Sequence, residues 1–278
     1  MRRRRDEIEL KSPAQLALMR QAGLVVAEGL QAMTEAARPG VSTFELDRIA
    51  RKVLAARDAR SSFLGYAGPP PFPGVICSSR NDKIVHGIPS RDDVLAEGDL
   101  LSLDFGAIVQ GWHGDAAVTV CVGSPAPESL ALSEACRKAL WDGLAAALPG
   151  GRLTDISHAV QTSVLESGDY GIVAGYGGHG IGSEMHMDPH VLNYGKPGRG
   201  PRLTAGMALA IEPMITLGSA QTRELGDRWT VVSADGSWSA HWEHTVALLE
   251  DGPWVLTAED GGRAELGARG VQLSSLAG

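Results

Sequence analysis

The sequence predicts an α+β domain in which helices cover antiparallel sheet, built as two pseudo-symmetric halves. Three observations lead there. Apolar residues recur at helical spacing in four segments, 12–37, 42–59, 128–148 and 153–168. Strand-like segments gather behind them, at 75–79, 99–109 and 114–123, then at 207–217, 229–238 and 239–250. A local echo links the two sets: Asp104 lies six residues after Gly98, and Glu212 six residues after Gly206. Each is a carboxylate inside an apolar strand that follows a glycine-containing turn. No linker-like segment separates the halves, so residues 12–278 read as one domain behind a basic tail, 1–11. The half-repeats run roughly 12–150 and 151–257.

Taken in order, the first helix opens with Ser12 as N-cap and Pro13 at N1. Leu16, Met19, Val26, Leu30 and Met33 then share a face with Gly23, and Pro39-Gly40 ends the element. In the second helix, Ser42 and Glu45 have the spacing of a capping box. "GYAGPPPFPG" (65–74) holds too much glycine and proline for regular structure and reads as a loop. The strands 99–109 and 114–123 fit a hairpin turning at Gln110-Gly111, which would bring Asp104 and Asp115 to neighbouring positions. "YGGHGIGSEMHMDPHV" (176–191) carries His179, His186 and His190. His186 and His190 are four apart, but Pro189 and the glycines exclude a helical zinc motif. The glycines read as room for backbone to pack closely around a site.

Composition excludes several classes. A net charge of −8 over 278 residues opposes a general nucleic-acid binder. Arg2–Arg5 read as a solvated tail, the alternative being a tether to an anionic surface such as ribosomal RNA. Asp6-Glu7-Ile8-Glu9 follow where a signal peptide would be apolar, and no run approaches the ~18 apolar residues of a membrane span. Cys77, Cys121 and Cys136, an odd set without paired spacing, suit reduced thiols and a cytoplasmic location.

Asp104 sits among Leu101, Leu103 and Phe105, and Glu212 beside Ile211 and Met214. Burying such acids is costly unless positive charge offsets their desolvation. For Asp104 a solvent face shared with Ser102 is the simple alternative; Glu212, with Ala210 and Met214 on its face, fits that less well. Asp115 begins a strand after a turn, and Glu243 lies between His241 and His244. Four such carboxylates with a glycine-flanked histidine match what two divalent ions ~3.5–4 Å apart need, and such a pair acidifies a bridging water.

"HGIP" (86–89), "LDFGAIVQGWHGDAAVT", "GHGIGSEMHMDPHV", "IEPM" and "EHT" occur in one order between about residues 12 and 257. Together they resemble type I methionine aminopeptidases. Without the long N-terminal extension of other forms, the chain is similar to the short bacterial one. The resemblance implies the pita-bread fold, with two halves around a dinuclear centre. It implies metal ligands Asp104, Asp115, His179, Glu212 and Glu243, with Asp115 and Glu243 bridging. Two divalent ions (Co, Mn, Fe or Zn) would be the cofactors. His86 and His186 would contact the scissile peptide, and Glu212 would shuttle the proton. A bridging hydroxide would attack the first peptide bond, releasing the N-terminal methionine from peptides and nascent polypeptides. Tyr66, Cys77, Met185 and Trp229 would line the methionine pocket. The implied protein is a monomer, with no membrane and no specific nucleic acid among its partners.

Two departures from the family pattern stand out. The 65–74 loop carries extra prolines, and Met185 stands where the family often has an aromatic residue. His113, His190, His241 and His244 read as packed or solvated side chains, with supporting roles open to His113 and His241, each two residues from a ligand position. Cys121 and Cys136 read as core. The rival readings are a proline-specific peptidase on the same fold and a binding protein that has lost catalysis.

Overall fold

The computed structural model describes residues 8–277, and the Arg2–Arg5 run lies outside them. Helix α1 (Pro13–Ala36) starts with a reciprocal cap: Ser12 Oγ accepts from the Gln15 amide, and Gln15 Oε1 accepts from the Ser12 amide. Ser42 and Glu45 repeat the device at α2 (Thr43–Ala56). That helix stops short of residue 59, and Asp58 takes a left-handed φ of 49°.

The first strands are β1 (Arg60–Ser61), β2 (Ile76–Arg80), β3 (Lys83–Val85), β4 (Leu100–Val109) and β5 (Trp112–Cys121). β4 and β5 form the expected hairpin. Gln110 and Gly111, with φ of 49° and 86°, supply the paired positive values of a turn matched to sheet twist.

Two helices follow, α3 (Pro127–Ala146) and α4 (Leu153–Ser167), then β6 (Gly171–Ile172), β7 (Gly178–Gly180), β8 (Met187–Val191), β9 (Ala208–Ile211), β10 (Met214–Thr216), β11 (Thr222–Glu224), β12 (Val231–Ser233), β13 (Ser239–His241), β14 (Glu243–Leu249), β15 (Gly252–Val255) and helix α5 (Arg263–Ala268). The segments 207–217 and 239–250 are thus each two strands, not one. Pro213 has no N–H to donate and ends β9 just after Glu212; Trp242 divides β13 from β14. Of 229–238 only Val231–Ser233 is strand, and the glycine-rich stretch around His179 contributes β7 and β8.

The main sheet runs β1-β4-β5-β14-β9-β7-β8, with β2 also on β4 and β15 also on β14. Its middle is symmetric: hairpin β4–β5 from the first half meets β14 and β9 from the second at the β5–β14 seam. That is the spatial form of the Gly98/Gly206 echo. One core, with Val26, Leu30, Leu46, Leu103 and Phe105, lies beneath α1 and α2. The other collects Leu132, Leu140, Ile156, Val160, Leu209 and Ile211 beneath α3 and α4. Helix α3, placed in the first half-repeat by sequence, therefore packs with the second half. Among the described residues no helix is long and apolar enough to cross a membrane.

Candidate metal centre

Sheet register explains how distant residues meet. Asp104 pairs with Ala117, and Ala117 pairs with Glu243, so one row crosses three strands with a small side chain between two acids. Asp115 lies two residues from Ala117 on the same face. Its backbone amide donates to Thr245 Oγ1, which donates to the Asp115 carbonyl, tying β5 to β14 beside it. His179 on β7 pairs with Ala210 on β9, and Glu212 follows Ile211 at the β9 end.

All are buried: Asp104, Asp115, His179, Glu212 and Glu243 are 8%, 2%, 6%, 9% and 2% exposed. The solvent-face alternative for Asp104 is therefore wrong. Ser102 is buried too, with its hydroxyl 2.9 Å from that of Thr119, because β4 lies inside the sheet with α1 packed across it.

Burial pushes the carboxyl groups of Asp104, Asp115, Glu212 and Glu243 well above the usual carboxylate range, and their mutual repulsion adds to it. Among the described residues, Asp104 Oδ1, Asp115 Oδ1, Glu243 Oε1 and His241 Nε2 are buried without a hydrogen-bond partner. Uncompensated acids and orphaned donor atoms in one place fit a divalent cation, whose charge and coordination would satisfy both. The ligating atoms of Asp115, His179 and Glu243 lie within 4.8 Å of one another, as do those of Glu212, His241 and Glu243. His179 Nδ1 donates to the Gly180 carbonyl at 3.0 Å, leaving the Nε2 lone pair for the site, 3.6 Å from Glu212 Oε1. Burial, with His186 nearby, holds the His179 pKa down to about 3.

The glycines flanking His179 serve strand packing. A Cβ on Gly178 would meet the Ala210 carbonyl oxygen at 2.2 Å, and one on Gly180 the Asp188 carbonyl oxygen at 2.2 Å. The close neighbours are the backbones of β8 and β9.

A cavity of about 540 Å³ opens over the carboxylates. His86 and His186 both line it. His86 takes a left-handed φ of 59°, and its ring meets Trp229 edge-on at 6.1 Å. Burial lowers its pKa to about 4. His186 Nδ1 lies 2.5 Å from Tyr66 Oη, and its ring stands 4.3 Å from that of His179. Tyr66, Cys77, Met185 and Trp229 all reach the cavity and pack together as one apolar wall. Cys77 pairs with Asp104 across β2–β4, and burial beside the carboxylates keeps it a thiol.

Phe63 and Phe72 complete that wall and went unread in the sequence. Phe72 stands edge-on to Trp229 at 5.2 Å, and Trp229 Nε1 donates to the Pro70 carbonyl at 3.0 Å. The proline-rich loop is thus anchored on the pocket. Phe72 was hidden in a stretch without periodicity.

His113 bonds Ser62 through Nδ1, while His244 bonds Thr257 and packs on Trp141 at 5.0 Å. His190 lies exposed at the cavity. His241 differs: its Nε2 approaches Glu212 Oε2 at 3.4 Å. The two-residue spacing from Glu243 was its signal.

Metallopeptidase family M24 matches residues 17–250. "Methionine aminopeptidase 1" of Mycobacterium tuberculosis is 54% identical over 260 residues, covering 92% of this chain and 97% of that protein. "Methionine aminopeptidase" of Clostridium acetobutylicum is 48% identical over 250 residues, covering 90% and 98%. The crystal structure of the Thermotoga maritima methionine aminopeptidase superposes with a TM-score of 0.88 at 37% identity, covering 91% of this chain and all of that one. The α+β pita-bread architecture is the one observed.

Proposed function

This chain belongs to metallopeptidase family M24, and on that premise we propose that it hydrolytically removes the N-terminal methionine from peptides and nascent polypeptides. One adjacency carries the reading: a thioether-sized apolar wall of Phe63, Tyr66, Phe72, Cys77, Met185 and Trp229 stands over the buried carboxylate cluster in a single cavity.

Two divalent ions (Co, Mn, Fe or Zn) would be held by Asp104, Asp115, His179, Glu212 and Glu243, the oxygen-rich set with imidazole that such ions accept. When bound, they offset the carboxylate charge, acidify a water near neutral pH and polarise the first peptide carbonyl. The chain's own groups do the rest. Glu212 takes the proton of the attacking water and returns it to the leaving nitrogen. Tyr66 Oη donates to His186 Nδ1, so the neutral ring carries its proton on Nε2 and donates it to the substrate carbonyl oxygen. His86 contacts the scissile peptide from the other wall. The pocket seats the methionine side chain and excludes water from it.

We further propose that residues 12–278 act as one catalytic unit, monomeric and cytoplasmic, and that Arg2–Arg5 make a transient ribosome contact. Assay of the metal-loaded protein on Met-Ala-Ser against Xaa-Pro peptides tests the activity. Rapid release of methionine with inert Xaa-Pro is expected; the reverse pattern rejects it in favour of a proline-specific peptidase.

A further inference from the structure

His241 takes no part in the machinery described above. It ends β13, paired with Met214 of β10, and is 1% exposed. Its backbone is fully engaged with one hydroxyl: the amide donates to Thr119 Oγ1 at 2.9 Å, and the carbonyl accepts from it at 2.7 Å. Strand position therefore sets where the imidazole stands. Its Nε2 has no hydrogen-bond partner among the described residues, although Glu212 Oε2 is only 3.4 Å away. The carboxylate oxygen is an acceptor within reach, yet the pair does not meet hydrogen-bond geometry. An unpartnered buried ring nitrogen is costly unless something else meets it.

The neighbouring atoms show what would. Glu212, His241 and Glu243 bring ligating atoms within 4.8 Å of one another, a group separate from Asp115, His179 and Glu243 and joined to it through Glu243. We propose that His241 Nε2 is a metal ligand, contributing a second imidazole to the centre beside Glu212 and Glu243. The proposal rests on the metal-centre reading given above. A second nitrogen donor shifts the site toward zinc, cobalt and iron and away from manganese, which prefers oxygen.

X-ray absorption spectroscopy of the protein loaded with two equivalents of zinc tests this by counting imidazoles. The wild-type protein should show two imidazoles per zinc pair, and His241→Gln and His179→Gln one each. Titration calorimetry should show one of the two zinc sites weakened at least tenfold in His241→Gln, with manganese affinity changed less. The glutamine keeps a polar side chain in the buried position, and the wild-type count decides even if a variant does not fold. A wild-type protein with one imidazole overturns the proposal while leaving the metal centre standing. An affinity loss without a change in count means that His241 only steers Glu212, and also overturns it. A protein that binds no zinc overturns both.

Discussion

Tyr66 Oη and His186 Nδ1 meet at 2.5 Å across the mouth of the cavity, joining the proline-rich loop to the segment between β7 and β8. With the tyrosine hydroxyl as donor, the contact leaves the imidazole proton on Nε2, as the proposed role of His186 requires. Tyr66→Phe should lower kcat for Met-Ala-Ser about tenfold, the effect of one hydrogen bond of ~1–1.5 kcal/mol, with a smaller change in KM. Unchanged kcat would show that the tautomer of His186 is set elsewhere.

Asp115→Asn should separate activity from stability. The change takes one negative charge out of a buried cluster of like charges, and the new amide can donate to Asp104. Methionine release should fall at least about a thousandfold, as for loss of a group that acts in the transition state. The melting temperature of the metal-free protein should rise. A drop in that melting temperature would show that the acids do not repel one another in the metal-free fold.

Phe72→Ala should open the pocket wall against Trp229. Selectivity for methionine over alanine at the first position should fall about 10–200-fold, as for other changes in an apolar pocket. Circular dichroism guards against a folding defect. Full selectivity in a folded variant would remove Phe72 from the pocket.

His244 gives the pH dependence. It packs on Trp141 with Nδ1 at Thr257, and burial depresses its pKa from 6.5 to about 4. A depressed folded value means that the unfolded chain takes up the proton first. The stabilisation is full above the unfolded value of 6.5 and is lost as pH falls through about 4. The loss is on the order of 3 kcal/mol. Because His86 and His179 are depressed in the same way, His244→Gln should reduce, not abolish, the fall of the denaturant midpoint between these pH values; an unaltered slope would place the acid sensitivity in the other groups.

Metal removal by a chelator should abolish methionine release and lower the melting temperature more at pH 8 than at pH 5. The carboxyl groups of Asp104, Asp115, Glu212 and Glu243 are raised, so the metal-free fold is favoured by protons and loses stability as pH rises toward the folded values. Equal destabilisation at the two pH values would contradict an uncompensated acid cluster.

Local chemistry determined much of this protein in advance. The caps at Ser12 and Ser42, the Gln110-Gly111 hairpin and the paired acids after Gly98 and Gly206 are read within a few residues of chain, where capping, turn conformation and periodicity act. The motifs around His86, His179, Glu212 and Glu243 pointed to one site for the same reason. What remained depended on residues far apart in sequence. Only register across β4, β5 and β14 places Ala117 between Asp104 and Glu243. Only the packing of α3 on α4 assigns that helix to the second half. Phe72 joins the pocket because Trp229, far along the chain, holds its loop, and His241 reaches Glu212 because a strand breaks at Trp242. Sequence spacing records side-chain direction along one element; which elements face one another is decided by burying both cores at once, and that is tertiary structure.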